Sequence, residues 1–366
     1  MNRTAHSMAP RRFLAAVSVA SLATLGFAGC ASGGATDGAS DGGGSDEIGV
    51  SLIVKTTSNP FFIAMQEGAQ TAADDLGITL TLAAGKEDGD EDTQIQAIEN
   101  SISKGDQGIL ITVNGPGVED ALVKARDAGL FVIALDTPPT NPDAVDITFA
   151  TDNFAAGQEI GKWAAAKLDG EKATIALLDL FDDKIVSVDY NRDQGFLDGM
   201  GIDTADVEKN GDEAKTGSYS GGDYEIVGSE ATNGAEDGGR TGAENLLSQN
   251  PDINVVYTIN EPAAYGAYQA FKAAGKTDMI IVSVDGGCEG VSQVKDGVIG
   301  ATAQQYPVKM AELGVQAIFD LVDSGTKPEV TKGLDFFDTG VALVTDDPQA
   351  GVESIDTTAA SEICWG

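Results

Sequence analysis

The sequence predicts an α/β protein built from two similar open-sheet lobes with a ligand cleft between them. Short apolar runs alternate with segments of helical period along most of the chain. That alternation starts afresh near residue 157. At 366 residues the chain also exceeds what a single hydrophobic core usually serves.

The first lobe reads in order. Residues 48–55 (IGVSLIVK) form a continuous apolar run, as expected of a strand buried on both faces. Residues 61–76 place Phe61, Phe62, Met65, Ala69, Ala72, Ala73 and Leu76 on one helical side. Gly77 then ends the helix. A second strand is predicted over 78–83, and a helix over 92–104 with Ile95, Ile98 and Ile102 on one stripe. Strand three covers 107–113 and helix three 118–128. Strand four, 130–135, is stopped by Asp136-Thr137-Pro138-Pro139, and 147–150 is a brief fifth strand. Parallel neighbours need right-handed helical crossovers, so these units build an open sheet covered by helices.

The second lobe repeats the grammar. Helices are predicted over 157–167, 191–200, 235–249, 263–274, 291–296 and 308–323. Strands are predicted over 173–178, 223–229, 254–259, 279–284 and 300–304, and 336–344 is largely extended. Residues 201–222 and 324–335 are Gly-rich and charged, and read as loops.

Ahead of the lobes lies a leader. Arg3, Arg11 and Arg12 precede an apolar stretch from Phe13 to Ala28, then Gly29 and Cys30. This is the order of a signal peptide over 1–29. A cysteine directly after the small residue is the acceptor of a bacterial lipid anchor, so Cys30 is the expected lipidation site; an ordinary secretory leader is the alternative. Phe27 stands where Leu is commoner in that signal. Residues 31–47 carry only small and acidic side chains, so 30–47 reads as a flexible stalk.

Composition narrows the function. Asp plus Glu number 58 against 22 Lys plus Arg, a formal charge of -36. So acidic a chain repels nucleic-acid backbones and anionic headgroups, and no nucleic-acid partner is expected. Glu87-Asp88-Gly89-Asp90-Glu91-Asp92 lacks the spacing and closing glutamate of an EF-hand, and reads as a solvated loop. The only histidine is His6, in the leader, so neither a metal site nor a cofactor is expected. Besides Cys30, the even pair Cys288 and Cys364 in an exported chain predicts a disulfide, with two free buried thiols as the alternative.

Open sheets bind ligands beyond the carboxyl ends of their strands. The residues there form one chemical set: Lys55, Asn59, Phe61 and Phe62; Asn114; Asp136 and Thr137; Asp152 and Asn153; then Arg192, Asn260, Glu261, Asp285 and Gln305. Amides and carboxylates answer hydroxyls that both donate and accept, and an aromatic ring covers an apolar sugar face. Arg192 can fork across neighbouring oxygens. Taken singly, each Asp or Asn also fits a turn or a helix cap, and adjacent Phe61 and Phe62 point apart on a helix, so at least one belongs to the core.

The marks Asn59-Pro60-Phe61-Phe62, Gly108-Ile109-Leu110-Ile111, Val132-Ile133-Ala134-Leu135-Asp136, Thr151-Asp152-Asn153, Arg192-Asp193-Gln194-Gly195-Phe196, Asn260-Glu261-Pro262-Ala263, Val284-Asp285-Gly286 and Gln304-Gln305-Tyr306-Pro307 occur in that order. With them the chain, from about residue 48 to its C-terminus, resembles the substrate-binding proteins of bacterial ABC sugar importers. The likeness is to the ribose-binding-like branch of the type 1 periplasmic binding proteins. It implies Rossmann-like lobes joined by three hinge crossings, with 48–151 plus 286–332 in the first lobe and 152–285 plus 333–366 in the second. It also implies that Asn59, Asn114, Asp136, Arg192, Asn260, Asp285 and Gln305 bond sugar hydroxyls, and that Phe61 and Phe62 include a ring cover. Lys55 matches a sugar-contacting lysine of arabinose-binding relatives. Thr137 replaces the arginine of ribose binders, which argues against ribose itself. The segment around Asp285 to Cys288 and the Cys-Trp-Gly ending look most like the fructose-type group. Ribose, xylose, another monosaccharide or a cyclitol remain alternatives.

The expected partners are therefore a monosaccharide and an ABC permease that recognises the closed form, with the membrane reached only through the lipid anchor. The protein is expected to be an exported monomer on the outer face of the cytoplasmic membrane, and not an enzyme. A sensor that hands its closed form to a receptor has the same fold and site. A sugar-responsive repressor would need a DNA-binding helix pair where this chain has its leader and stalk.

Overall fold

Residues 48–366 are described by a computed structural model. The expected leader, Cys30 and the stalk lie outside the described residues. The first apolar run is β1 (Gly49–Val54), buried from its second residue onward. Helix α1 (Pro60–Leu76) follows because Asn59 caps it, its Oδ1 accepting from the Phe61 backbone N–H at 2.9 Å, with Pro60 in the first turn. Gly77, at φ 70°, ends it in the left-handed conformation that glycine adopts without cost. Then come β2 (Thr79–Ala84), α2 (Glu91–Lys104), β3 (Gly108–Ile111), α3 (Glu119–Asp127), β4 (Phe131–Leu135) and β5 (Ile147–Ala150).

The second set begins with α4 (Asn153–Lys167), β6 (Ala173–Asp179), α5 (Ser187–Met200), β7 (Thr216–Ser218) and β8 (Asp223–Ala231). It continues through α6 (Glu236–Gln249), β9 (Val255–Thr258), α7 (Glu261–Ala273), β10 (Ile280–Asp285), α8 (Cys288–Lys295) and β11 (Ala301–Gln304). The chain ends with α9 (Pro307–Ser324), β12 (Phe337–Asp338), β13 (Ala342–Val344) and α10 (Thr357–Ala360).

Two sheets result, in the orders β12-β5-β4-β3-β1-β2 and β13-β11-β10-β9-β6-β8-β7. All pairings are parallel except those of β13 with β11 and β7 with β8 at the two edges. The predicted α/β architecture of two open-sheet lobes is therefore the observed one. Helix α9 returns to the first lobe, where Met310, Val315 and Ile318 join Leu110, Leu135 and Phe61 in one core.

The sheets move two expected boundaries. Residues 286–304 were expected in the first lobe, but β11 bonds to β10 in register Val282↔Ala301 through Asp285↔Gln304. A strand paired there stays in the second sheet, so the return crossing falls at Gln305 and Tyr306. Phe337 and Asp338, expected in the second lobe, pair with Phe149 and Ala150 of the first, so the last crossing follows β12. Within the loop expected over 201–222, β7 forms a short exposed edge strand.

Cys288 and Cys364 form a disulfide, with Cα atoms 5.0 Å apart. The bond draws the tail back across the lobes. The Cys288 backbone N–H donates to the Trp365 carbonyl at 2.9 Å, and Trp365 Nε1 donates to the Gln305 carbonyl at 2.9 Å. Its ring meets Phe61 edge-on, centroids 5.4 Å apart, in the first-lobe core.

Candidate functional site

Two non-glycine residues at strand ends hold positive φ: Asp136 (64°) after β4, and Asp285 (147°) closing β10. Such backbone is strained for an L residue and persists only where its surroundings fix it. Asp285 is fixed by Glu261, whose carboxylate accepts from the Gly286 N–H at 2.8 Å, the Gly287 N–H at 3.1 Å and the Thr302 hydroxyl at 2.8 Å. Gly286 is required there, since a Cβ would lie 2.3 Å from the Gln304 side chain.

Arg192 of α5 reaches between the two aspartates. Its Nη2 stands 3.5 Å from Asp136 Oδ1 and its Nη1 4.0 Å from Asp285 Oδ1. The guanidinium is aimed by Nε donating to Asn153 Oδ1 at 2.8 Å and Nη1 donating to the Ile259 carbonyl at 2.9 Å. Because Asp136 belongs to the first lobe and Arg192 to the second, this ion pair spans the cleft. Asp136 Oδ1 is shut from solvent without a hydrogen-bond donor, and so is Gln305 Oε1.

Around this pair lies a cavity of about 30 Å³, room for a water or two. Lys55, Asn59, Phe61, Phe62, Asp136, Arg192, Asn260 and Asp285 line it, all of them expected from the sequence. Both phenylalanines are buried in the first-lobe core and still line the cleft, their rings edge-on at 5.3 Å.

The remaining expected residues stand behind the lining. Asn114 is spent on the backbone: Nδ2 donates to the Asp90 carbonyl at 3.1 Å and Oδ1 accepts from the Gly89 N–H at 2.9 Å. It pins the loop after β2 instead of facing the cavity. Thr137 donates its hydroxyl to Asp136 Oδ2 at 2.8 Å. Asn153 donates to the carbonyls of Asp136 and Thr151, both at 3.2 Å, while orienting Arg192. Gln305 donates Nε2 to Asp285 Oδ1 at 3.1 Å. These side chains position the aspartates and the arginine. Asp152 is the cap of α4, accepting from the Ala155 N–H at 2.9 Å.

Four lining residues were missed: Asp88, Leu180, Val188 and Ile259. Asp88 follows β2 within the acidic run read as solvated, yet its Oδ1 is closed off from water. Applying the strand-end rule to β2 would have found it. The apolar three carry no polar signal, but Leu180 and Ile259 directly follow β6 and β9 and give the cavity an apolar wall.

Three carboxyls here, Asp285, Asp88 and Glu261, are hard to ionise. Burial raises Asp285 to about 7 against the pull of Arg192, and Asp136 adds to the rise. Burial raises Asp88 to about 6, opposed by Lys55. Glu261 is raised to about 8, by burial first and by Asp285 second, against its three donors. The cleft thus offers fixed cationic donors, carboxyl and amide acceptors, and apolar faces. That set suits a ligand rich in hydroxyls.

The family model of the periplasmic binding protein domain matches residues 48–327. The chain belongs to this family. Its members bind and do not catalyse. The ribose import binding protein RbsB of Salmonella typhimurium is 28% identical over 287 residues, covering 78% of this chain and 88% of that one. The D-allose-binding periplasmic protein of Escherichia coli is 25% identical over 302 residues, covering 80% and 91%. Among solved structures, the periplasmic component of a sugar transport system from Hahella chejuensis has a TM-score of 0.68 at 29% identity, covering 81% of this chain and 99% of its own. A solute-binding protein of Agrobacterium vitis with bound D-fucose has a TM-score of 0.69 at 26% identity, covering 84% and 100%.

Proposed function

We propose that this protein is the substrate-binding component of an ABC sugar importer and captures one neutral monosaccharide by closing its lobes. The carrying observation is the Arg192–Asp136 pair across the cleft, with an acceptor of Asp136 left without a donor. Hydroxyls of a sugar supply the missing donors, and each buried polar group left unpaired costs about 1–3 kcal/mol. Relatives named for ribose and allose support a sugar of this size. Fructose is the candidate from the sequence marks; the relatives named above do not include a fructose binder, so ribose and allose stand beside it in the test.

The test is calorimetry of the exported chain with fructose, ribose, allose, xylose, arabinose, galactose and myo-inositol. One of them binds, and small-angle scattering shows a smaller radius of gyration in its presence. Tight binding of an amino acid or a peptide instead would overturn the reading, because such ligands need partners for an ammonium and a carboxylate.

The leader and stalk support export and anchoring through Cys30 on the outer face of the cytoplasmic membrane, where two or more acyl chains hold a protein stably. Mass measurement of the native N-terminus should find acyl mass on Cys30. An unmodified thiol there, or cleavage elsewhere, would remove the anchor from this reading.

A further inference from the structure

The cleft opens on one side into a larger space. Asn59, Asp88 and Asp285 line both the small cavity and a groove of about 900 Å³. The cavity residues are assigned to one ring, admitted when the lobes part, and apart from those three the groove's lining has no part in that role. Its size falls in the range of complete small-molecule sites. Tyr265, half-buried on α7, offers an aromatic surface in its wall. Carboxylates stand around it, among them Glu87, Glu230, Glu236 and Asp237, and among the described residues no Lys, Arg or His is in its lining.

We propose that this groove is a second carbohydrate subsite, which takes a neutral or aminated sugar residue joined to the ring held in the cleft. The inference rests on the sugar reading above and extends it from a free monosaccharide to a short glycoside. The substituent leaves the ring through the opening framed by Asn59, Asp88 and Asp285. The Tyr265 face covers its C–H surface, and its hydroxyls donate to the carboxylates in charge-assisted bonds. The same carboxylates repel an anionic residue such as a uronate.

Calorimetry of the exported chain tests this. Each panel sugar is paired with a disaccharide carrying it at the non-reducing end: fructose with inulobiose, xylose with xylobiose, galactose with melibiose, and ribose, allose and arabinose each as the glycosyl residue on glucose; myo-inositol, which has no anomeric carbon, is paired with galactinol. For the sugar that binds, the paired disaccharide is expected to bind at least tenfold more tightly. Glucosamine as second residue should keep that gain, and glucuronate should lose it. Tyr265→Ala and Thr241→Trp, both in the groove and outside the cleft, should each abolish the gain while leaving the free sugar within twofold. If the free sugar binds and its disaccharide is rejected, or if neither variant changes disaccharide affinity, the subsite is refuted and the monosaccharide reading stands. If no sugar binds in either form, the sugar reading itself fails and the subsite with it.

Discussion

Arg192→Ala is expected to weaken sugar binding by at least tenfold, with the centre of the range far beyond that. Arg192 is 4% exposed, and its guanidinium stands between two buried carboxylates that belong to different lobes. Removing one member of a buried charged pair costs about 2–5 kcal/mol, and each 1.4 kcal/mol is roughly a decade in affinity. Without the cation, Asp136 and Asp285 face one another across the cleft, so the closed form is disfavoured before any ligand contact is counted. The substitution also strands the Ile259 carbonyl, which accepts from Nη1, and frees Asn153 Oδ1. A thermal melt must therefore accompany the calorimetry. Arg192→Lys keeps the charge and loses the fork, and should fall between parent and alanine variant. Asn100→Ala, on the exposed face of α2, is the control. A folded Arg192→Ala protein binding its best sugar within twofold of the parent would show that the second lobe does not contribute as assigned.

The lining of the cleft was legible where a strand end is legible. Lys55, Asp136 and Asp285 follow or close buried apolar runs, and such runs stand out in the sequence. Residue type then told which groups hydrogen-bond, but not with what. Asn114, Asn153 and Gln305 have their partners far along the chain, at Gly89, Arg192 and Asp285, and only the folded register brings them together. Asp88 was hidden by its neighbours: among six residues rich in acid, nothing local distinguishes the one that turns inward. The fold followed the same division. Apolar runs gave the strands, yet the run at Ala301–Gln304 says nothing about which sheet receives it, and pairing with β10 decided that. β7, the exposed Thr-Gly-Ser edge, buries nothing and so leaves no pattern to read.

The folded protein is expected to melt at a higher temperature at pH 5 than at pH 8. Unfolded carboxyls titrate near 4. In the fold, burial raises Asp88 and Asp189 to about 6, Asp285 to about 7 and Glu261 to about 8. Burial and neighbouring carboxylates push Asp179 and Asp193 well above the ordinary value too. Between pH 4 and 8 the folded state therefore holds more protons than the unfolded chain, and stability falls as pH rises. The contribution is full below about 4 and is lost as each folded pKa is passed. Each tenfold gain in a carboxyl's proton affinity on folding is worth about 1.4 kcal/mol, so the loss amounts to several kcal/mol, shared among interacting groups and not additive. Asp90 runs the other way, lowered to about 2 by the Thr93 hydroxyl, but it is at the surface and weighs little. Self-repulsion at a net charge of -36 acts in the same direction as the buried acids, so the scans need a second discriminator. Asp193→Asn supplies it. Asp193 is fully buried, Oδ2 accepts from Gln194 Nε2 at 2.8 Å, and Oδ1 has no donor. An amide of the same shape cannot ionise, so this variant should gain melting temperature over the parent at pH 8 and match it at pH 5. A parent that melts higher at pH 8 than at pH 5 at constant ionic strength, or a variant without gain at pH 8, would show that these acids are not held protonated by the fold.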